Sequence, residues 1–407
     1  MSVPEEGMTS PIPLGQRDRN PRRLADRALQ VQPFRVMEIL ARARILEGEG
    51  RDIVHMEIGE PDFPTPSHVL GAAARALSEA PMNYTPAAGL PELRRAISDF
   101  YGLRQGIRIS PERIFLTPGA SGALMLALSL LVNPGDEVLL ADPGYPCYPN
   151  FVRLAGGFPR FVPVSGSPSF CLDRSLLENS WSPSSRGIIL ASPDNPTGTI
   201  LKGPVLGEII QSVSARGGFV ICDEIYQGLE YCGTSVSALS LSEDVFVINS
   251  FSKFFGMTGW RLGWAVVPEW AIPVAERLVQ NLFISAPTLS QRMAIHAFDP
   301  ENLDELECRR QTFAQRREIL LEGIERLGFQ PKGSPDGAFY VYADCSKISV
   351  DAVALSEKLL EHAGVALTPG ADFGEDGRDH HLRFCYTSDS QRIVEGLSRI
   401  RRWIDQA

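Results

Sequence analysis

The chain has 407 residues, 44% of them hydrophobic, and a net charge of −10, which allows a large buried core and two or three ordinary domains. The acidic balance disfavours nucleic acid as a partner, and no apolar stretch is long enough to cross a membrane. Seven scattered cysteines without a Cys-x-x-Cys pair indicate neither a disulfide framework nor a zinc site, so reduced thiols in a cytoplasmic protein are expected and a metal centre is not.

Residues 1–26 mix Pro, Gly, Arg, Asp and Glu without an apolar run and read as a flexible N-terminal arm rather than a secretory signal. Over residues 33–46, Phe34, Met37, Ile39, Leu40 and Ile45 recur at near-helical spacing until Gly48 and Gly50, predicting one amphipathic helix. The run Ile58-Gly59-Glu60-Pro61-Asp62-Phe63-Pro64-Thr65-Pro66 is too rich in proline for regular structure and reads as a connecting loop. Tyr84 precedes Gly89-Leu90-Pro91, where proline marks a helix start. By itself it is an ordinary surface or core tyrosine.

Five segments then repeat one design. Residues 113–116 lead into Thr117-Pro118-Gly119-Ala120-Ser121-Gly122, and residues 137–140 into Asp142-Pro143-Gly144-Tyr145-Pro146. Residues 187–191 lead into Ser192-Pro193-Asp194-Asn195-Pro196-Thr197-Gly198, residues 219–222 into Asp223-Glu224-Ile225-Tyr226, and residues 245–248 into Asn249-Ser250-Phe251-Ser252-Lys253. Continuous apolar runs, several separated by helix-length stretches, predict a parallel sheet covered on both faces, and ligands bind such sheets beyond the carboxyl ends of the strands. All five polar motifs fall at that edge.

Residues 120–132 are apolar nearly all round, predicting a helix buried against the sheet. The free N–H groups at its Gly-Ala-Ser-Gly start make an anion site. A serine-hydrolase elbow would need glycine at 123, which is alanine. Further on, residues 302–327 predict a long charged helix ended by Gly328. Beyond it a strand is expected at 338–342, a helix at 352–362, a loop at 368–374 and a strand at 381–386.

Lys253 sits on the turn leaving the fifth apolar run, with Ser250 and Ser252 before it and Arg261 after it. An amine among phosphate ligands suits an aldehyde cofactor carrying a phosphate handle, which describes pyridoxal phosphate. A lone lysine would otherwise be a solvated surface charge. Asp223 ends an apolar strand, where a carboxylate is costly to bury unless paired; a protonated pyridine nitrogen or a helix cap would each serve.

Ser-Phe-Ser-Lys at 250–253, followed by Gly-Trp-Arg-Leu-Gly at 259–263, resembles the lysine signature of class I aminotransferases, a pyridoxal-phosphate family. Motifs in family order extend the resemblance over residues 33–383. It implies a fold type I α/β architecture, with a mostly parallel central sheet in a three-layer α/β/α large domain and a smaller α+β domain. The expected divisions are an arm at 1–26, the first part of the small domain at 27–60, the large cofactor-binding domain at 61–300, a connecting helix at 301–328 and the rest of the small domain at 329–407.

The resemblance also implies roles. Lys253 forms an imine with pyridoxal 5'-phosphate and then moves a proton between the substrate Cα and the cofactor C4′. Asp223 pairs with the pyridine nitrogen, and Asn195 and Tyr226 donate to the phenolic oxygen. The Ala120 amide, Ser121, Ser250, Ser252 and Arg261 hold the phosphate. Tyr145 stands where aspartate aminotransferases have a tryptophan stacked on the ring. Arg383 binds the substrate carboxylate, with Gly59 and Asn195 beside it, because a guanidinium matches a carboxylate with two parallel hydrogen bonds. Tyr84 reaches the phosphate of a neighbouring subunit, which requires a homodimer.

Asn281 occupies the position where some dicarboxylate-specific members place an arginine, which speaks against aspartate or glutamate as principal donor. The implied reaction moves the amino group of an L-amino acid to a 2-oxo acid, in ping-pong fashion. A β-lyase cleaving a C–S bond would keep the same lysine, aspartate and arginine and is the alternative. Ser250-x-x-Lys253 also matches a serine acyl-enzyme motif, but its companions Ser-Asp-Asn and Lys-Thr-Gly are absent.

Overall fold

The computed structural model describes residues 24–167, 170–375 and 378–406; the expected arm at 1–26 lies outside them except for its last three residues. A short strand, β1 (Val54–His55), precedes the main sheet. The sheet is built from β2 (Ile114–Thr117), β3 (Glu137–Asp142), β4 (Phe158–Pro163), β5 (Ser185–Ala191), β6 (Phe219–Asp223), β7 (Phe246–Ser250) and β8 (Gly263–Val266). Their order is β2-β8-β7-β6-β5-β3-β4. All run parallel except β8, which is antiparallel to both β2 and β7.

The five predicted apolar runs are β2, β3, β5, β6 and β7. Two strands are additional. β8 starts at the last residue of the lysine motif, Gly263, and β4 carries two prolines, which an edge strand tolerates and a central one does not. Side chains alternate across the sheet. Leu139, Ile188, Val220 and Val247 enter one core, while Leu140, Ile189, Ile221 and Ile248 enter the core on the other face. Burial on both faces explains why these strands read as unbroken apolar runs. The helix Gly119–Leu131 packs in the second core and is buried on nearly every side, as its composition predicts.

After the sheet, the helix Pro300–Arg326 runs 27 residues and stops at Gly328, whose φ of +97° only glycine adopts readily. The C-terminal strands are β9 (Gln330–Lys332), β10 (Tyr340–Asp344), β11 (Val365–Ala366), β12 (Thr368–Pro369) and β13 (His381–Cys385). β12, β13, β10 and β9 form an antiparallel sheet in that order, and β11 pairs with β1 in parallel. β10 begins two residues later than predicted because Ala338 has a φ of +57°, outside the strand region. The expected loop at 368–374 holds β12 and a 3₁₀ turn, Gly370–Asp372. The expected helix at 352–362 is α-helical over Ala352–Lys358 and continues as a π turn over Leu359–Ala363.

One core runs unbroken from Leu139 and Val247 of the main sheet, through Phe313 of the long helix, to Val341 and Phe384 of the C-terminal sheet. The long helix also holds the proline-rich loop. Arg316 grips both carboxylate oxygens of Asp62 at 2.8 and 2.9 Å, and Arg309 donates to the Pro64 carbonyl at 2.7 Å.

At the end of β1, His55 lies between Glu57 at 2.7 Å and Glu47 at 3.1 Å. The Glu57 hydrogen bond is the main reason its pKa is pushed up from 6.5 to about 9. A raised folded-state pKa stabilises the fold fully below the unfolded value and loses that contribution as pH rises through the folded value. His55→Ala is therefore expected to lower the urea midpoint at pH 6, with the gap to the parent protein narrowing between pH 6.5 and about 9.

Candidate active site

The carboxyl ends of β2, β5, β6 and β7 deliver Thr117, Ala191, Asp223 and Ser250 to one edge of the sheet. Three residues past β7, Lys253 is partly buried, and loss of water pulls its ammonium down from 10.5 to about 8. Its Nζ donates to the Gly59 carbonyl at 2.6 Å and lies 5.8 Å from the Phe339 ring centre. Gly59 admits no side chain, because a Cβ there would sit 1.8 Å from the Tyr340 hydroxyl oxygen.

Asp223 is buried, and that burial pushes its carboxyl up from 3.8 to about 6, against the opposing pull of its hydrogen bonds and of Lys253. Oδ2 accepts from the Tyr148 hydroxyl at 2.8 Å and Oδ1 from the Ile225 amide at 3.1 Å. A buried carboxyl so placed favours a cationic partner, and a protonated ring nitrogen is of the right kind.

An anion cradle lies at the start of the helix Gly119–Leu131. No side chain caps this terminus, so its first N–H groups are left for a ligand. Gly119 has a φ of +72°, and a Cβ there would fall 2.6 Å from the Arg261 guanidinium, so glycine allows that charge to approach the helix start. Arg261 is exposed and itself adopts a left-handed φ of +50°. Ser250 and Ser252 are buried alongside, their hydroxyls 2.9 Å apart. Ala120 is buried and Ser121 exposed in the first turn of the helix.

Arg383, in the middle of β13, is buried between two rings, 4.4 Å from the centre of Tyr340 and 4.7 Å from that of Phe373. It donates to Asn195 Oδ1 at 2.8 Å and to the Glu57 carbonyl. Its Nε has no hydrogen-bond partner, a costly condition for a buried charged donor unless a ligand completes it. Tyr226 shares a 2.8 Å hydrogen bond with Tyr340, and Tyr145 meets Tyr148 edge-on at 5.1 Å and Phe34 at 6.2 Å.

The fold thus joins Lys253 to Gly59 and Arg383 to Asn195, residues between 188 and 194 positions apart in the chain. Tyr84 is 80% exposed on the surface. Asn281 is exposed, its amide bonded to the Arg277 carbonyl of its own helix at 2.7 Å. Tyr148 and Tyr340 are the site residues that motif reading missed. Tyr148 follows Tyr145 by one helical turn, which could have drawn notice, whereas Tyr340 is one aromatic among several in its strand.

The description "Aminotransferase class I and II" matches residues 51–400. The chain belongs to that family. It is 38% identical to the (5-formylfuran-3-yl)methyl phosphate transaminase of Methanocaldococcus jannaschii, over 94% of this chain and 100% of the relative. It is 38% identical to the valine–pyruvate aminotransferase of Mycobacterium tuberculosis, over 92% of this chain and 97% of the relative. Among solved structures, an aminotransferase from Mycobacterium tuberculosis superposes with a TM-score of 0.92 at 38% identity, covering 95% of this chain and 100% of that one. The Thermus thermophilus aspartate aminotransferase with maleate gives 0.89 at 33% identity, covering 94% and 99%. The chain is an aminotransferase, an enzyme that moves amino groups between amino acids and 2-oxo acids.

A Cβ at Gly263 would lie 2.7 Å from the Ala120 amide nitrogen and 2.8 Å from the Asn249 carbonyl, so strand β8 can seat the cradle only with glycine there. Gly263→Ala is expected to cost about 1–3 kcal/mol of stability through overpacking against backbone, read as a lower urea midpoint.

Proposed function

We propose that this enzyme binds pyridoxal 5'-phosphate at the sheet edge and transfers the amino group of an L-amino acid to a 2-oxo acid in two half-reactions. The observation that carries the reading is the desolvated Lys253 amine, lowered to about 8, in one site with the buried Asp223 carboxylate and the incompletely bonded Arg383 guanidinium. When bound, the cofactor supplies an electron sink that accepts the charge developing at the substrate Cα.

The remaining work falls to side chains. Arg383 binds the substrate α-carboxylate through Nε and an Nη nitrogen, and its flanking rings and Asn195 fix the orientation of the guanidinium. Gly59 lets the backbone come close to the substrate. With the cofactor bound, Lys253 Nζ would be the group that takes a proton from the substrate Cα and returns it to the cofactor, and a pKa near neutrality suits both tasks. Asp223 keeps the ring nitrogen protonated, with Tyr148 holding that carboxylate in place.

The phosphate is assigned to the Ala120 amide, Ser121, Ser250, Ser252 and Arg261. Asn195 and Tyr226 are assigned to the phenolic oxygen, and Tyr145 to the ring face. Exposed Tyr84 is assigned to the phosphate of a second subunit, which makes the working enzyme a homodimer with shared sites. Seven scattered cysteines without a Cys-x-x-Cys pair support a reducing cytoplasmic setting. Asn281 offers no charge to a distal carboxylate, which favours donors other than aspartate and glutamate.

Titrating pyridoxal 5'-phosphate into the cofactor-free protein and following near-ultraviolet and visible absorbance is expected to give one site per chain. Lys253→Ala is expected to abolish turnover while keeping the far-ultraviolet dichroism of the parent, and an active variant overturns its role. Arg383→Lys is expected to raise KM for the amino acid by about 10- to 100-fold, the loss of a charge-assisted, two-point contact. Ammonia released without an oxo acid would identify the lyase reaction instead.

A further inference from the structure

We propose that His68, His296 and Asp299 form a binding site for a divalent cation of the zinc type, separate from the site of amino-group transfer. His68 Nε2 and His296 Nδ1 converge on the same oxygen, Oδ2 of Asp299, at 2.6 and 2.9 Å. All three donor atoms lie within 4.8 Å of one another. The two rings meet edge-on with centres 5.9 Å apart. Cysteine spacing suggested no metal site, and spacing could not reveal this one, because His68 lies more than 200 positions from its partners in the chain.

Several features favour a cation over a hydrogen-bonded cluster alone. Asp299 occupies the N-cap position of the helix Pro300–Arg326, where aspartate ordinarily bonds to the first free N–H groups. Its side chain makes no such bond here and faces the histidines instead. The remaining nitrogen of His68, Nδ1, lies 3.8 Å from Glu301 Oε2, the kind of outer carboxylate that orients a ligating imidazole.

Two imidazoles and one carboxylate suit zinc, cobalt or nickel rather than calcium or magnesium. Ligands at about 2.0–2.1 Å from a common zinc ion stand a little over 3 Å apart. The two nitrogens now stand 2.6 and 2.9 Å from Asp299 Oδ2 and within 4.8 Å of each other, so each must draw back from the carboxylate by less than about 1 Å to share an ion with it. The side chains are about one-third exposed, which leaves an entry path and room for a water as fourth ligand.

His68 begins the helix that follows the proline-rich loop at 58–66, while His296 and Asp299 sit at the start of the long helix. A cation there would clip the end of that loop to the helix that already holds Asp62 and Pro64.

The test is isothermal titration of the cofactor-loaded enzyme with zinc chloride, beside thermal unfolding with and without zinc. The parent protein is expected to bind one zinc per chain with a raised midpoint, and His68→Ala and His296→Ala to bind it at least about tenfold more weakly. His68→Gln keeps a donor toward Asp299 without a ligating nitrogen, so it separates loss of the cation from loss of the hydrogen bond. Unchanged amino-group transfer without zinc reports that each variant is folded. Zinc binding that survives in the double histidine variant, or none in the parent, overturns the proposal and leaves a hydrogen-bonded triad only.

Discussion

The Lys253 ammonium reaches from the end of β7 to the carbonyl of Gly59, at 2.6 Å, and this contact depends on taking an amine largely out of water. Desolvation disfavours the charged form, so the amine is easier to deprotonate than a surface lysine. Among the described residues, the Gly59 carbonyl is the only group to which it is hydrogen bonded, which leaves the nitrogen able to change partners. The arrangement needs Gly59 to be bare, because Tyr340 covers the space a side chain would take. Tyr340 in turn hydrogen bonds to Tyr226 and shields Arg383. Amine, loop, phenols and guanidinium therefore form one connected assembly, drawn from five separate stretches of chain.

Charge in this assembly is set by burial more than by pairing. Asp223 is not paired with an arginine or lysine in direct contact; it is held by a phenol and an amide, and its carboxyl rises to about 6. Arg383 is held by neutral oxygens and two ring faces, with its Nε left without a partner. Each group carries an unmet demand of opposite sign. A zwitterionic substrate and the proposed cofactor, with its basic ring nitrogen, would answer those demands together.

Much of this was legible in the sequence. Parallel strands covered on both faces leave unbroken apolar runs, and their carboxyl ends are marked by an abrupt change to glycine, proline and polar residues, so β2, β3, β5, β6 and β7 and their motifs stood out. β8 did not, because its four residues follow the lysine motif without a boundary. Tyr148 and Tyr340 act through tertiary contacts; the spacing of Tyr148 from Tyr145 was the one local sign of the first, and nothing local distinguishes the second from a core aromatic. Ala338, whose left-handed backbone nothing in an alanine announces, displaced the predicted start of β10. Reading residues as motifs found the groups that the proposed function assigns to ligand; it could not find the groups that position those residues.

The hydrophobic core that passes from the main sheet through Phe313 to Phe384 has a consequence for how the molecule can be divided. A polypeptide cut before the long helix would carry an open greasy wall where the C-terminal strands had been, and the excised piece would carry its mirror. Neither half is a module that recombination could transplant alone, so the arginine-bearing segment and the lysine-bearing segment are inherited together or lost together.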